Sequence, residues 1–336
     1  MRIGIDAMGG DNAPAEEVRG ALAARDVIKD DDRIVLVGDE SRIRQQLAST
    51  DGWEEYIDVH HAPQVIGMNE SPVEALRSKP KSSLAVLTEL HKAGEVNAII
   101  SAGNTGACVA AAQMRLRRLP GVHRPGIAII TPTPSGPVAL CDVGANVNCR
   151  PSHLHQYAIM SSLYLKASVG IENPRVGLLS VGEEDAKGNN LVKQTRELLR
   201  DDEAVNFIGN VESRDLFSGA CDVMVCEGFV GNVVLKLMEG MAVGVIKSMV
   251  SELAAMLPDL GGNTSRTLME SAKRYMAKYD FNDYGGAPLL GVAGICIICH
   301  GASDHRGIMN AVRSARTFAE HRVNQQITET LSEGTR

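Results

Sequence analysis

The residues best suited to chemistry in this chain are glycines set beside asparagine or aspartate, and they recur. They stand in Asp6-Ala7-Met8-Gly9-Gly10-Asp11-Asn12, Ser101-Ala102-Gly103-Asn104-Thr105-Gly106, Asp142-Val143-Gly144-Ala145-Asn146, Gly188-Asn189 and Glu227-Gly228-Phe229-Val230-Gly231-Asn232. Glycine lets the backbone approach a ligand closely, and Asn or Thr caps the helix that follows. The unpaired N–H groups of such a helix start, with the positive end of its dipole, suit a phosphate or an oxyanion. A single loop of this kind reads as well as a plain strand-to-helix turn. Several in one chain point to a shared anion site, with Gly9, Gly10, Asp11, Gly103, Asn104, Thr105, Asn146, Gly188, Asn189 and Gly231 as candidates. Lys187 sits in an acidic turn just before Gly188-Asn189. It is placed to add a point charge to bound phosphate, or else it is a solvated surface lysine.

Familiar signatures of other chemistry are missing from the sequence. There is no Gly-x-x-x-x-Gly-Lys-Ser/Thr and no Gly-x-Gly-x-x-Gly after a strand, which argues against a nucleotide site. No Gly-x-Ser-x-Gly elbow supports a serine nucleophile. Cys296-Ile297-Ile298-Cys299-His300 spells a haem-attachment pattern, but it lies in a β-branched run. Residues three apart on a strand face opposite ways, so these read as buried strand cysteines. Glu183-Glu184-Asp185 lacks a neighbouring His or Cys and reads as turn residues. His60-His61 and His153-x-His155 are unpartnered and read as structural or surface positions. Neither a metal nor a cofactor is expected.

The elements that must hold these loops are short β-branched runs alternating with helix-length stretches. Strands are expected at 2–6, 34–38, 57–60, 98–101, 126–131, 138–143, 176–181, 205–209, 223–226 and 294–300. Helices are expected at 15–28, 83–93, 106–118, 152–168, 189–200 and 304–324. Apolar strands separated by helices indicate an α/β fold with a doubly wound, mainly parallel sheet, whose ligands collect at the C-terminal ends of strands. With 44% hydrophobic and 22% charged residues among 336, the chain has the composition of a folded globular protein. A net charge of −7 and 4% aromatics argue against nucleic acid as a partner. The start of the chain reads as a strand rather than a signal peptide, and a cytoplasmic location is expected.

One segment breaks the rhythm. From 231 to 280 a helical hairpin is expected, inserted in a single α/β domain spanning 1–336. Its first arm carries Val233, Leu237, Met241, Val245, Met249 and Leu253, read as packing on the sheet or in a dimer interface. Its turn at 257–263 holds Pro258, Gly261 and Gly262. The outer arm carries an apolar stripe that includes Leu268 and Met269, flanked by Arg266, Lys273, Arg274 and Lys278. Such a helix suits an anionic membrane surface, with Leu257, Leu260, Leu268 and Met269 as the contacts. An ordinary solvated helix with its stripe turned inward fits the same pattern.

Taken together with Asn206-Phe207-Ile208-Gly209-Asn210-Val211-Glu212 and Tyr284-Gly285-Gly286-Ala287, these motifs resemble the bacterial acyl-carrier-protein:phosphate acyltransferase family (PlsX). They fall in the family's order and span essentially the whole chain. The resemblance implies a fold like phosphotransacetylase and the isocitrate and isopropylmalate dehydrogenases, a homodimer, and peripheral membrane association. It implies transfer of a fatty acyl group from acyl-carrier protein to inorganic phosphate, reversibly, at the entry to phospholipid synthesis. A membrane-bound glycerol-3-phosphate acyltransferase is the implied downstream partner. Lys187 and Asn232 match positions that the family's active site uses. The turn at 257–263 is less basic than a membrane-contacting tip of that family suggests.

The chemistry is consistent with that resemblance. A phosphate oxygen attacks a thioester carbonyl and a thiolate of pKa near 8.5 departs, so neither strong base nor strong acid is needed. The protein's task is to position two anionic groups and stabilise an oxyanion. Lys187 is expected to offset phosphate charge, with Asn232 and loop N–H groups on phosphate or oxyanion, and Asn104 and Asn146 as second-rank candidates. Arg115, Arg117, Arg118 and Arg124 form the densest cationic cluster, suited to an acidic carrier protein or to complementing a helix C-terminus. A phosphotransacetylase acting on acyl-CoA, a decarboxylating dehydrogenase and a non-catalytic membrane scaffold are the competing readings.

Overall fold

The computed structural model describes residues 1–256, 266–267, 270–271 and 281–333. Its strands are β1 (Arg2–Asp6), β2 (Arg33–Gly38), β3 (Ile57–His61), β4 (Ala98–Ser101), β5 (Gly126–Thr133), β6 (Gly136–Cys141), β7 (Val176–Leu179), β8 (Phe207–Val211), β9 (Val223–Val225), β10 (Ala287–Leu290) and β11 (Ile295–Ile298). The helices are α1 (Ala15–Ala23), α2 (Glu40–Leu47), α3 (Pro72–Ser78), α4 (Ser83–Lys92), α5 (Thr105–Arg115), α6 (Pro151–Val169), α7 (Asn190–Arg200), α8 (Gly228–Met256), α9 (His305–Glu320) and α10 (Val323–Glu333). Among the described residues, eleven strands make one sheet in the order β3-β2-β1-β4-β11-β10-β5-β6-β9-β7-β8. Helices cover both faces, as the all-apolar strands require: Ile3 and Ile5 pack against α1 and α9, while Ile99 packs with α4 and α5.

The sheet is less uniformly parallel than the alternation of elements suggests. β3, β2, β1, β4 and β11 run parallel, and so do β6, β9, β7 and β8. Between the two groups, β10 and β5 pair antiparallel with each of their neighbours. The two parallel halves therefore point in opposite directions. A hairpin joins β5 to β6 through Pro134 and Ser135, and Gly136, the first residue of β6, holds φ 118°, where only glycine is comfortable.

Register then brings the two halves' loops together. Ser101 pairs with Ile298, Ile298 with Ala287, Leu289 with Ile127, and Ile129 with Leu140. The last residues of β4 and β11 thus stand about one row from the last residues of β6 and β9. Chains leaving the two halves in opposite directions do so from the middle of the sheet, where the strand direction switches.

Three differences from the sequence expectations have physical causes. β10 was not anticipated, because it is four residues long, contains Pro288 and lies between Gly286 and Gly291. The stretch expected as one helix at 304–324 is two, broken at Arg322, whose φ is 51°. The apolar ridge of α8 does not pack on the sheet: Val233, Leu237, Met241, Val245 and Met249 are 52–60% exposed, while Leu235 and Met238 face inward. Leu257, Leu260, Leu268 and Met269, and the hairpin turn at 257–263, lie outside the described residues. Among the described residues no helix is long and apolar enough to cross a membrane.

Candidate active site

Asp142, the residue after β6, organises one wall. It is fully buried. Its Oδ1 accepts from the N–H groups of Ile127 (3.1 Å), Gly144 (3.0 Å) and Ala145 (2.9 Å), and its Oδ2 accepts from Asn146 N (2.8 Å). Burial raises its carboxyl above the ordinary range, and these donors pull it back. The Asn146 amide donates to Asp142 Oδ2 (3.2 Å) and to the Pro125 carbonyl (2.6 Å), and lies 2.9 Å from the Tyr157 hydroxyl. Its side chain thus holds the loop in shape. The first turn of α8 presses against this loop. A Cβ on Gly231 would lie 1.9 Å from the Asp142 carbonyl oxygen, and one on Gly228 would lie 2.6 Å from that of Asn146. This close approach explains both glycines, and it sets Asn232 over Gly144.

The opposite wall comes from the other half of the sheet. Gly9, after β1, packs against Gly103, after β4, so tightly that a Cβ on Gly9 would lie 2.7 Å from Gly103 N. Beneath them buried Asp6 accepts from the Ser101 hydroxyl at 2.8 Å. Asp11 N–H donates to the Gly301 carbonyl (2.8 Å), tying this loop to the one after β11. Asn104 caps α5 through Ala107 N–H (3.0 Å), and its amide donates to the carbonyls of Met68 and Glu70 (3.0 Å each). Its side chain therefore positions α5, whose first residues Thr105 and Gly106 face the cleft.

Glu17 of α1 lies behind the β1 loop, 1% exposed, with Oε1 accepting from Gly10 N–H at 3.2 Å. Among the described residues its Oε2 has no partner. Burial, with the Asp6 charge behind it, pushes this carboxyl from 4.5 up to about 7. The folded state therefore holds a proton that the unfolded chain releases between these values, so stability falls as pH rises through this window. Glu17→Gln should raise thermal stability at pH 8, by about 3 kcal/mol at most. The gain should fade as pH is lowered from 7 towards 4.5, which melting curves across that range would test.

Between the walls lies a cavity of about 340 Å³. Its apolar floor is Ile127, Ile129 and Ile298, and its polar rim includes Thr105, Asn232, Lys236, Glu239 and His300. Lys236 Nζ lies 2.8 Å from Glu239 Oε2 and 3.3 Å from His300 Nε2. Lys236, Glu239 and His300 were not anticipated from the sequence. Asn232, Lys236 and Glu239 stand four and three residues apart, one face of a helix, and that spacing was the available signal. His300 ends the run that resembles a haem attachment site.

Lys187 is placed elsewhere. It is exposed on the loop after β7 and does not line this cavity. Since β6, β9 and β7 are parallel neighbours, the loops bearing Gly144, Asn232 and Lys187 leave the same edge of the sheet. Asn189 caps α7 through Val192 N–H (2.9 Å), and Gly188 holds φ 91°. Of the four arginines, Arg115 is engaged internally by Thr88 (2.9 Å) and Glu89 (3.1 Å). Arg118 donates to the His123 carbonyl, and Arg117 and Arg124 are exposed.

Residues 1–326 match the family model described as "Fatty acid synthesis protein". A curated relative named phosphate acyltransferase from Trichlorobacter lovleyi is 47% identical over 334 residues, covering 99% of this chain and 95% of its own. Another of that name, from Desulforamulus reducens, is 46% identical over 333 residues, covering 98% and 97%. The chain belongs to this family of phosphate acyltransferases. Solved structures carry the family's fold further. A phosphotransacetylase from Streptococcus pyogenes superposes with a TM-score of 0.63 at 14% identity, covering 95% of this chain and 94% of that one. A branched-chain phosphotransacylase from Enterococcus faecalis gives 0.57 at 13% identity, covering 94% and 98%. The chain thus shares the α/β architecture of these two structures.

Proposed function

We propose that the chain transfers a fatty acyl group from acyl-[acyl-carrier protein] to inorganic phosphate, reversibly, giving acyl phosphate for phospholipid synthesis. The observation that carries this reading is the cleft at the sheet's switch in direction, where Asn232, a lysine and a histidine meet the start of α5. A phosphate oxygen attacks the thioester carbonyl, the C–O bond forms, the tetrahedral oxyanion collapses and the C–S bond breaks. The proton of HPO₄²⁻ passes to the departing thiolate, so HPO₄²⁻ and thioester yield acyl phosphate dianion and free thiol. Asn232 donates to the oxyanion or the phosphate, and Lys187, from the adjoining loop, offsets charge as substrates enter. The attack is taken as direct, without a covalent acyl-enzyme; Cys299, at the cavity wall, is a poor nucleophile, because burial pushes its thiol up to about 12 and a thiol attacks as its thiolate.

The test is phosphate-dependent appearance of free carrier-protein thiol from acyl-carrier protein. A phosphotransacetylase-type enzyme, the reading the structural likeness favours next, would accept acyl-CoA equally well in the same assay.

The rest of the proposal concerns surfaces. We take residues 1–336 as one domain with a helical insertion at 231–280, the exposed ridge of α8 as a homodimer face, and the segment beyond it as the membrane contact. Arg117, Arg118 and Arg124, with Arg115 held behind them, are the proposed landing site for the acidic carrier protein. Arg117→Glu and Arg124→Glu together should raise KM for acyl-carrier protein about tenfold at low salt. The difference from wild type should shrink by about 0.5 M NaCl, where screening is short-ranged. An unchanged KM at low salt would remove this surface from the proposal.

A further inference from the structure

Lys236 and His300 face each other in the cavity in a way that asks for a third group. His300 Nδ1 accepts the Ala302 N–H at 3.2 Å. The proton of the neutral imidazole is therefore on Nε2, and that N–H is a donor. It points at Lys236 Nζ, 3.3 Å away, which as an ammonium has donors only. Among the described residues, two donors oppose each other with no acceptor between them. Glu239 Oε2, at 2.8 Å, takes one ammonium proton and fixes the lysine's position, leaving the others to point into the cavity. Asn232 stands one turn earlier on the same helix face. Thr105 and Gly106 line the other side, at the start of α5, where first-turn N–H groups have no partner within the helix.

We propose that Lys236 Nζ and His300 Nε2 are the seat of inorganic phosphate. An acceptor-rich tetrahedral dianion satisfies both donors at once and separates the two facing groups. The assignment rests on the phosphate-dependent acyl transfer proposed above and names which residues hold the nucleophile. It also divides the work: the cavity holds phosphate, and the Lys187 loop, outside the cavity, serves the thioester side, with Asn232 between them. A phosphate group has a second source in this reaction, the phosphodiester of the carrier's prosthetic arm, and the experiment separates the two.

The full chain and its Lys236→Met, His300→Leu and His300→Gln variants should be titrated calorimetrically with inorganic phosphate alone. Their KM values for phosphate and for acyl donor should be measured separately, with melting curves confirming the fold. Lys236→Met and His300→Leu should each weaken phosphate binding and raise its KM at least tenfold, leaving KM for the acyl donor within twofold. His300→Gln, which keeps an N–H donor near the Nε2 position, should retain most of the affinity. The proposal is overturned if phosphate binding is unchanged in both Lys236→Met and His300→Leu, or if only the acyl-donor KM rises, which would give the seat to the prosthetic arm. Absence of phosphate-dependent turnover in the wild type would instead sink the acyl-transfer reading, and the calorimetry would still decide whether phosphate sits here.

Discussion

Asp142→Ala should destabilise the protein by about 3–5 kcal/mol and reduce turnover at least about 100-fold. The carboxylate is buried, and four backbone N–H groups, those of Ile127, Gly144, Ala145 and Asn146, depend on it. Leaving a buried N–H without an acceptor costs about 1–3 kcal/mol each; the loop can relax, so the sum is not reached. Asn is not a remedy, since its amide nitrogen would place a donor against the Asn146 donors. The effect on activity follows from position rather than contact. Gly228 N–H donates to the Asn146 carbonyl at 2.8 Å, and Gly231 packs directly on Asp142, so a loosened loop moves the first turn of α8. A shift of about 1 Å in a positioned group can cost two orders of magnitude in rate. Urea denaturation and steady-state kinetics on the same preparation separate the two losses. Wild-type stability in Asp142→Ala would show that the N–H groups find other partners.

The sequence made the strands legible because a buried parallel strand has to be apolar through its middle, and β1, β2 and β4 are, with polar residues only at their ends. It did not make their order or direction legible. A four-residue strand such as β10, with a proline inside and glycines at both ends, carries no periodicity to read, yet it joins the two halves. Glycine-rich loops were legible as a class, while their division of labour was not. Asn104 and Asn146 have the side chains of ligands, but capping and loop hydrogen bonds engage both amides. Asp142 looks like one more acidic turn residue until the N–H groups folded around it are seen. Lys236 and His300 are 64 residues apart in sequence and meet only because β11 and α8 border one cavity. The exposed α8 ridge shows the same limit from another side. Its four-residue spacing reveals an apolar face, but not that the sheet takes Leu235 and Met238 instead.

Asn232 and Lys187 should part company kinetically, because only one of them lines the cavity. Asn232→Ala should lower kcat about 100- to 1000-fold with little change in either KM, the loss expected when a donor to a developing oxyanion is removed. The side chain lies beside Gly144 at the mouth of the Asp142 loop, and its truncation leaves that loop's hydrogen bonds intact, so melting temperature should hold. Lys187 stands on the neighbouring loop, exposed, with its backbone fixed by the Glu184 carbonyl at 2.9 Å. A flexible ammonium there contributes charge before and during the approach of an anionic substrate. Lys187→Ala should therefore depress kcat/KM for the acyl donor by about 100-fold, and part of that loss should appear in KM. Lys187→Arg should recover some of the binding but less of kcat, since a planar guanidinium does not replace a compact point charge. Full activity in both alanine variants, with native melting curves, would move the chemistry away from the edge shared by β6, β9 and β7. A loss confined to Asn232→Ala would keep it in the cavity and leave Lys187 as a surface lysine.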